Sequence, residues 1–284
     1  MQNSGFSTNN TWNVRGRLVD FSEPKIMGIL NLTPDSFYDG SRYNENFSTA
    51  MAQVEKMITD GADMIDIGGY SSRPGADDIS ADEEARRVVD VIAATAKQFP
   101  GIPVSIDTFR SGVAQKALDA GAAIINDITG GDRDPGLRKL AIRYQVPYII
   151  MHMRGTPKDM NQKTGYEDVV KEVLTALQKK VNEFAQEGLT DVAVDPGFGF
   201  AKNVGQNFTM LNNLSVFRVM GKPVLVGISR KSMIWRTLET TAGEALNGTT
   251  ALNMVALMKG ASILRVHDVK EAKECVKLFK RLNP

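Results

Sequence analysis

Short apolar runs alternate with longer stretches of helical period along the chain. Eight such runs, at 26–32, 64–68, 104–107, 123–126, 148–151, 192–195, 224–228 and 263–266, lack polar alternation. That pattern predicts parallel strands covered on both faces. The segments between them read as amphipathic helices. After Ser80, Ser-Ala-Asp-Glu predicts a capping box, with the serine oxygen accepting the Glu83 amide while the Glu83 side chain reaches back. Asp82 and Glu84 add negative charge where the helix dipole is positive, and Ala85, Val88, Val89, Ile92, Ala96 and Phe99 mark one face. A second face runs through Val170, Val173, Leu174, Leu177, Val181 and Phe184 and stops at Gly188. Segments 48–60 and 111–120 end at Gly61 and Gly121, and a last helix covers 269–282. Eight strand–helix units predict an α/β fold, a (β/α)8 TIM barrel, with a doubly wound open sheet as the competing architecture. Residues 12–14 and 17–19 flank Arg15-Gly16 and predict a short N-terminal β-hairpin that plugs the N-terminal mouth of the barrel. One domain over 1–284 is expected, with residues 1–10 as a flexible tail.

Composition narrows the function classes. The chain has 284 residues, 42% hydrophobic and 24% charged, with a formal net charge of +1. That is ordinary for a globular protein and gives no electrostatic argument for a nucleic-acid or anionic-membrane partner. No apolar run approaches the roughly 20 residues of a membrane helix. Residues 1–10 hold no basic cluster followed by an apolar stretch, so no secretory signal is expected. The single cysteine, Cys275, excludes an intramolecular disulfide framework and a thiolate metal cluster. It fits a reducing compartment, and the expected location is cytoplasmic.

Candidate chemistry gathers where the strands end, the rim on which barrels carry their active sites. Asn31 follows the first run, Ser72 and Arg73 the second, and Asp107 ends the third. Asn126 and Asp127 end the fourth, His152 follows the fifth, and Asp195 ends the sixth. Ser229, Arg230 and Lys231 follow the seventh; Arg265 and His267, two apart on the eighth, project the same way. Singly, each has a bland reading: Asp107 reads equally well as a turn former or helix cap, His152 more readily as structural than catalytic, and Arg230 and Lys231 as solvated charges at a helix start. Together they gather both signs of charge on one rim, which a purely structural rim does not need. Arg73, Arg265, His267 and Asn31 suit a multiply charged anion such as a diphosphate. Asp107, Asn126, Asp195 and Lys231 suit a flat, nitrogen-rich heterocycle, the carboxylate accepting two hydrogen bonds from a guanidine-like edge. The run Asp195-Pro-Gly-Phe-Gly-Phe adds close backbone approach at Gly197 and Gly199 and an apolar face from Phe198 or Phe200.

These motifs carry a family resemblance. Residues 27–40, Met-Gly-Ile-Leu-Asn-Leu-Thr-Pro-Asp-Ser-Phe-Tyr-Asp-Gly, and residues 66–76, Asp-Ile-Gly-Gly-Tyr-Ser-Ser-Arg-Pro-Gly-Ala, resemble the two signatures of the dihydropteroate synthases. The blocks at 105–108, 125–127, 151–153, 195–200, 227–231 and 265–267 follow in that family's order. The resemblance implies condensation of 6-hydroxymethyl-7,8-dihydropterin diphosphate with 4-aminobenzoate, giving 7,8-dihydropteroate and diphosphate in folate synthesis. It implies a pterin site of Asp107, Asn126, Met151, Asp195, Phe200 and Lys231, and a diphosphate site of Asn31, Arg73, Arg265 and His267. Phe37, Ser72, Pro74 and Ser229 would frame the aminobenzoate. Asp107, Lys231 and Arg73 would act in the chemistry, and Asn31 would meet a magnesium ion, Mg2+. Sulfonamides, as aminobenzoate mimics, are expected inhibitors, and a homodimer through the later helices is expected. Two departures stand out. Tyr70 and Ser72 replace the glutamate and threonine usual in the second signature, and Tyr38-Asp39-Gly40-Ser41 replaces Ser-Asp-Gly-Gly in the first. The competing readings are a pterin-binding methyltransferase domain serving a corrinoid protein and a non-catalytic pterin-binding paralogue.

Overall fold

The structure, a computed structural model, describes residues 10–33, 43–71 and 78–283, with 43–45 described as backbone alone. The expected tail at 1–10 therefore falls, apart from Asn10, outside the described residues. Two antiparallel strands, β1 (Thr11–Val14) and β2 (Arg17–Asp20), pair from Thr11–Asp20 to Val14–Arg17. Arg15 and Gly16 make the turn, both at positive φ (50° and 85°), as the twist of a two-residue hairpin loop requires.

Eight strands follow: β3 (Lys25–Asn31), β4 (Met64–Gly68), β5 (Val104–Asp107), β6 (Ile124–Asp127), β7 (Tyr148–Met151), β8 (Val192–Asp195), β9 (Leu225–Val226) and β10 (Ile263–Val266). Their order is β8-β7-β6-β5-β4-β3-β10-β9, and every pairing is parallel. A parallel bridge between Val194 and Val224 joins the two ends of the sheet, so the barrel nearly closes. The expected seventh strand, 224–228, keeps regular pairing only at Leu225–Val226. Beyond it the chain turns through Arg230 at φ 54°.

Nine helices among the described residues cover the outside: α1 (Tyr43–Thr59), α2 (Ala81–Gln98), α3 (Ser111–Asp119), α4 (Gly136–Tyr144), α5 (Val169–Gln186), α6 (Val204–Asn212), α7 (Ser232–Thr237), α8 (Leu246–Met258) and α9 (Val269–Leu282). None is long and apolar enough to cross a membrane. The capping box expected at Ser80 forms only in half. Ser80 Oγ accepts from the Glu83 amide at 3.1 Å, but the Glu83 carboxylate turns away to Arg86 and Arg87. Two nearby guanidinium groups outcompete one backbone amide. A complete, reciprocal box forms instead between Asn203 and Gln206 at the start of α6 (2.8 and 2.9 Å). The buried face of α2 is also rotated from expectation: Val91 and Glu84 lie inside, while Val89, Ala96 and Phe99 are only half-buried.

The largest apolar cluster fills the layer between strands and helices. A second occupies the N-terminal end of the barrel, where Trp12, Val14 and Phe21 meet Met27, Met64, Ile124, Ile149, Leu225 and Ile263 near the strand starts. The hairpin thus plugs that mouth. Arg15 Nη2 ties it to the Leu118 and Ala122 carbonyls (2.6 and 2.7 Å), and Arg17 Nη1 to those of Pro100 and Gly101. With one end stoppered, the C-terminal rim is left for chemistry.

Candidate active site

Arg265, the third residue of β10, spans the barrel interior. Its Nε donates to Asp66 Oδ2 at 2.6 Å and its Nη2 to Asp107 Oδ2 at 2.6 Å. Asn126 Nδ2 donates to the same Asp66 oxygen at 2.9 Å. These contacts join β10, β4, β5 and β6, each skipping at least one strand of the sheet, which only inward-facing side chains can do. Asp66 is fully buried (0% exposed), and its Oδ1 has no hydrogen-bond partner among the described residues. Two carboxylates therefore share one guanidinium. Burial works against the Arg265 charge, but Asp66 and Asp107 outweigh it and hold its pKa above the ordinary value. The Asp107 carboxyl is pushed up to about 7: burial dominates, Arg265 opposes it, and the Asp66 charge adds to it. With 23% of its side chain exposed, Asp107 still faces the open mouth.

The second half of the site is the turn after β8. Asp195 Oδ1 accepts from the Gly197 amide at 2.7 Å, and burial, against the pull of Lys231, raises its pKa. Gly197 and Gly199 sit at φ 74° and 79°. A Cβ on Gly197 would lie 2.0 Å from the His152 carbonyl oxygen, and one on Gly199 would lie 3.0 Å from Lys231 Cδ. Only glycine lets this turn pack so closely. Of the two phenylalanines, Phe198 is buried in the main core. Phe200 joins Phe109, Ile128, Met151, Met153 and Tyr70 in a small apolar cluster at the rim. Lys231 Nζ donates to the Phe198 carbonyl and lies 4.7 Å from the centre of the Phe200 ring. Burial pulls its pKa down to about 8 against the charge of Asp195, and Arg265 and Asp107 also act on it.

The anion-side residues fall on the neighbouring strand ends. Asn31 closes β3, half-buried and opposite Gly68 in register. Ser229 Oγ lies 3.0 Å from His267 Nδ1 and accepts from the His267 amide at 3.2 Å, tying the loop after β9 to the end of β10. Phe37, Ser72, Arg73 and Pro74 lie outside the described residues. Two strand-end residues have structural work. Asp127 accepts from the Tyr148 hydroxyl, the Thr129 amide and hydroxyl, and the Gly131 amide. Arg230 grips Asp268 with two hydrogen bonds, at 2.9 and 2.8 Å. Asp107 and Asp195 both act on Arg265 and Lys231, Asn126 shares the Asp66 oxygen with Arg265, and Met151 and Phe200 belong to one apolar cluster beside them.

Reading the strand ends missed three residues. Asp66 lies inside an apolar run, and an acid in that position was itself the available signal. Glu84, fully buried on α2, accepts from the Thr108 hydroxyl at 2.6 Å and from Arg110 at 2.7 Å, bracing the end of β5. Lys202, just before α6, was not singled out from sequence and is only 8% exposed.

Comparison with known proteins finds relatives in sequence and in fold. The family model described as pterin binding enzyme matches residues 27–267. The dihydropteroate synthase of Haemophilus influenzae (strain ATCC 51907 / DSM 11121 / KW20 / Rd) is 42% identical over 265 residues, covering 93% of this chain and 95% of that protein. The dihydropteroate synthase of Escherichia coli (strain K12) is 41% identical, covering 93% of each. Among solved structures, the Yersinia pestis dihydropteroate synthase in a sulfonamide drug complex superposes with a TM-score of 0.89 at 38% identity, covering 96% of this chain and 98% of that one. The Xanthomonas albilineans dihydropteroate synthase with 4-aminobenzoic acid has a TM-score of 0.89 at 35% identity, with the same coverage.

Proposed function

The chain belongs to the pterin-binding enzyme family, among the dihydropteroate synthases, and from that premise we propose how its own residues carry out the condensation. It joins 6-hydroxymethyl-7,8-dihydropterin diphosphate to 4-aminobenzoate and releases diphosphate. The observation that carries this reading is the interior network of Asp66, Arg265, Asp107 and Asn126, set beside Asp195 and Lys231 on one open rim.

The Asp195 carboxylate accepts from the guanidine-like edge of the pterin, and Asn126 and Lys231 meet its remaining polar atoms. Met151 and Phe200 flank the ring. The bond between the exocyclic methylene and the diphosphate oxygen breaks first, in an SN1-like step. Its electron pair leaves with the diphosphate, and the dihydropterin delocalises the cation left behind. Arg265, already fixed by two carboxylates, stabilises the departing charge without reorganising, joined by His267, Asn31 and Arg73. Asp107 supports the cation electrostatically. The amine nitrogen of 4-aminobenzoate, framed by Phe37, Ser72, Pro74 and Ser229, then attacks the methylene carbon, and the ammonium so formed gives up its proton to solvent water. The Asn31 carboxamide oxygen is a hard donor of the kind that would help hold an Mg2+ ion with the diphosphate. When bound, such an ion neutralises charge on the leaving group. We assign the protein to the cytoplasm, in keeping with its single cysteine.

The test supplies both substrates with magnesium and follows diphosphate and dihydropteroate together. Stoichiometric release of the two, with sulfonamides competing against 4-aminobenzoate, is the expected result. Pterin binding without turnover would identify a non-catalytic pterin-binding protein instead.

A further inference from the structure

Lys202 is a buried cation, beside the site, that this mechanism leaves unused. Its Nζ lies 3.0 Å from the Gly197 carbonyl oxygen, 3.0 Å from the Phe200 carbonyl oxygen and 3.2 Å from His152 Nδ1. An ammonium group has three protons, and here are three acceptors. Two of them belong to the turn that carries Asp195 and Phe200; the third belongs to the segment after β7, next to Met151. The His152 amide also donates to the Asp195 carbonyl at 2.9 Å. The turn is anchored on its other side by Asn207, which accepts from the Gly199 amide at 2.8 Å and donates to the Lys202 carbonyl at 3.2 Å.

We propose that Lys202 is a positioning residue for the pterin: its ammonium cross-links the turn at 195–200 to the end of β7 and so sets the Asp195 carboxylate and the Phe200 ring against the heterocycle. This rests on the functional reading above and adds a residue that touches no substrate. Accepting at Nδ1 leaves His152 with its proton on Nε2. The ring stays neutral, since burial and the adjacent Lys202 hold its pKa down at about 3.

The surroundings give the cross-link a pH dependence. Lys202 faces Asp195 from β8, Lys231 from the loop after β9, and His152 and Arg154 from the segment after β7; Lys180 of α5 also acts on His152. Burial lowers the Lys202 pKa to about 7; Asp195 opposes this, while Lys231 and Arg154 reinforce it. Loss of a proton removes one of the three donated bonds, so the clamp is strongest below that value and loosens as the pH rises through it.

The experiment measures the dissociation constant of 6-hydroxymethylpterin, by quenching of its fluorescence, for the wild type, K202M and K202R between about pH 6 and 9. K202M removes all three donated bonds; the Gly197 carbonyl keeps the Phe200 amide at 3.2 Å, but the Phe200 carbonyl and His152 Nδ1 lose the Lys202 donor, and pterin binding should weaken on the order of 10- to 100-fold at the acid end. Its deficit should shrink as the pH rises, while the KM for 4-aminobenzoate stays near the wild-type value. K202R, charged throughout this range, should lack the part of the alkaline weakening due to Lys202 and keep only the part that Lys231 and Asp107 impose on every variant. Wild-type affinity in K202M, or a deficit constant with pH and shared by both substrates, would overturn the proposal. If K202M does not fold, a K202R profile superimposable on the wild type overturns it equally. A wild type that binds no pterin at all would remove the functional reading, and this proposal with it.

Discussion

At the scale of single residues, charge balance decides the behaviour of the rim. Arg265 satisfies Asp66 and Asp107 at once, and Asp66 has no exposed surface through which water can replace it. Arg265→Ala should therefore do two separable things. It should weaken the diphosphate substrate far more than the pterin alcohol, as measured by KM against inhibition by the alcohol. It should also destabilise the fold by about 3–5 kcal/mol, because it strands a buried carboxylate. Adding Asp66→Asn should return part of the lost stability in denaturant unfolding, since the neutral amide needs no counter-charge. If the double variant lost the sum of the two single effects, the pair would not be coupled. The strand-end residues were legible from sequence because a polar group closing an apolar run is conspicuous. Asp66 was not, since strand ends draw attention and strand interiors are taken as packing. Lys202 was hidden for a different reason: its burial comes from the meeting of β7, β8 and α6, which no local window contains.

At the scale of elements, periodicity carried almost everything. Strands β4, β5, β7, β8 and β10 and helix α9 fall where the alternation places them. The misplacements are the shortened β9 and, at caps and helix faces, positions where side-chain competition rather than period decides, as with Glu83 choosing arginines over a backbone amide. The hairpin shows how an element can stabilise a barrel without taking part in its chemistry. Trp12, 1% exposed, stands edge-on to Phe21 with ring centres 4.7 Å apart, at the end opposite the rim. Trp12→Ala should cost about 3–5 kcal/mol in stability through the cavity it leaves. Below the lowered melting temperature, kcat and both KM values should stay at wild-type levels. A kinetic change without a stability change would mean that the plug communicates with the site.

At the scale of the whole molecule, the later helices expose apolar side chains that nothing in the barrel requires. Met258 of α8 (56% exposed) accompanies Val255 on that helix, Leu238 just beyond α7, and Leu278 and Leu282 on α9. These side chains lie on the later helices, through which the family resemblance implies a homodimer, and we propose that it forms there. Sedimentation equilibrium should give twice the chain mass for the wild type and a single chain for Met258→Glu. A monomeric wild type at micromolar concentration would end that proposal.

Backbone propensity and apolar period, both local properties, determined the eight-unit order, the hairpin and the set of polar groups delivered to one rim. Only the closing of the sheet brought Asp66 and Asp107 onto one guanidinium, and only the packing of three elements buried Lys202 among three acceptors. Those pairings join residues up to 199 positions apart. Their strength comes from a shared interior screened from water, a property of the assembled barrel that no stretch of chain possesses alone.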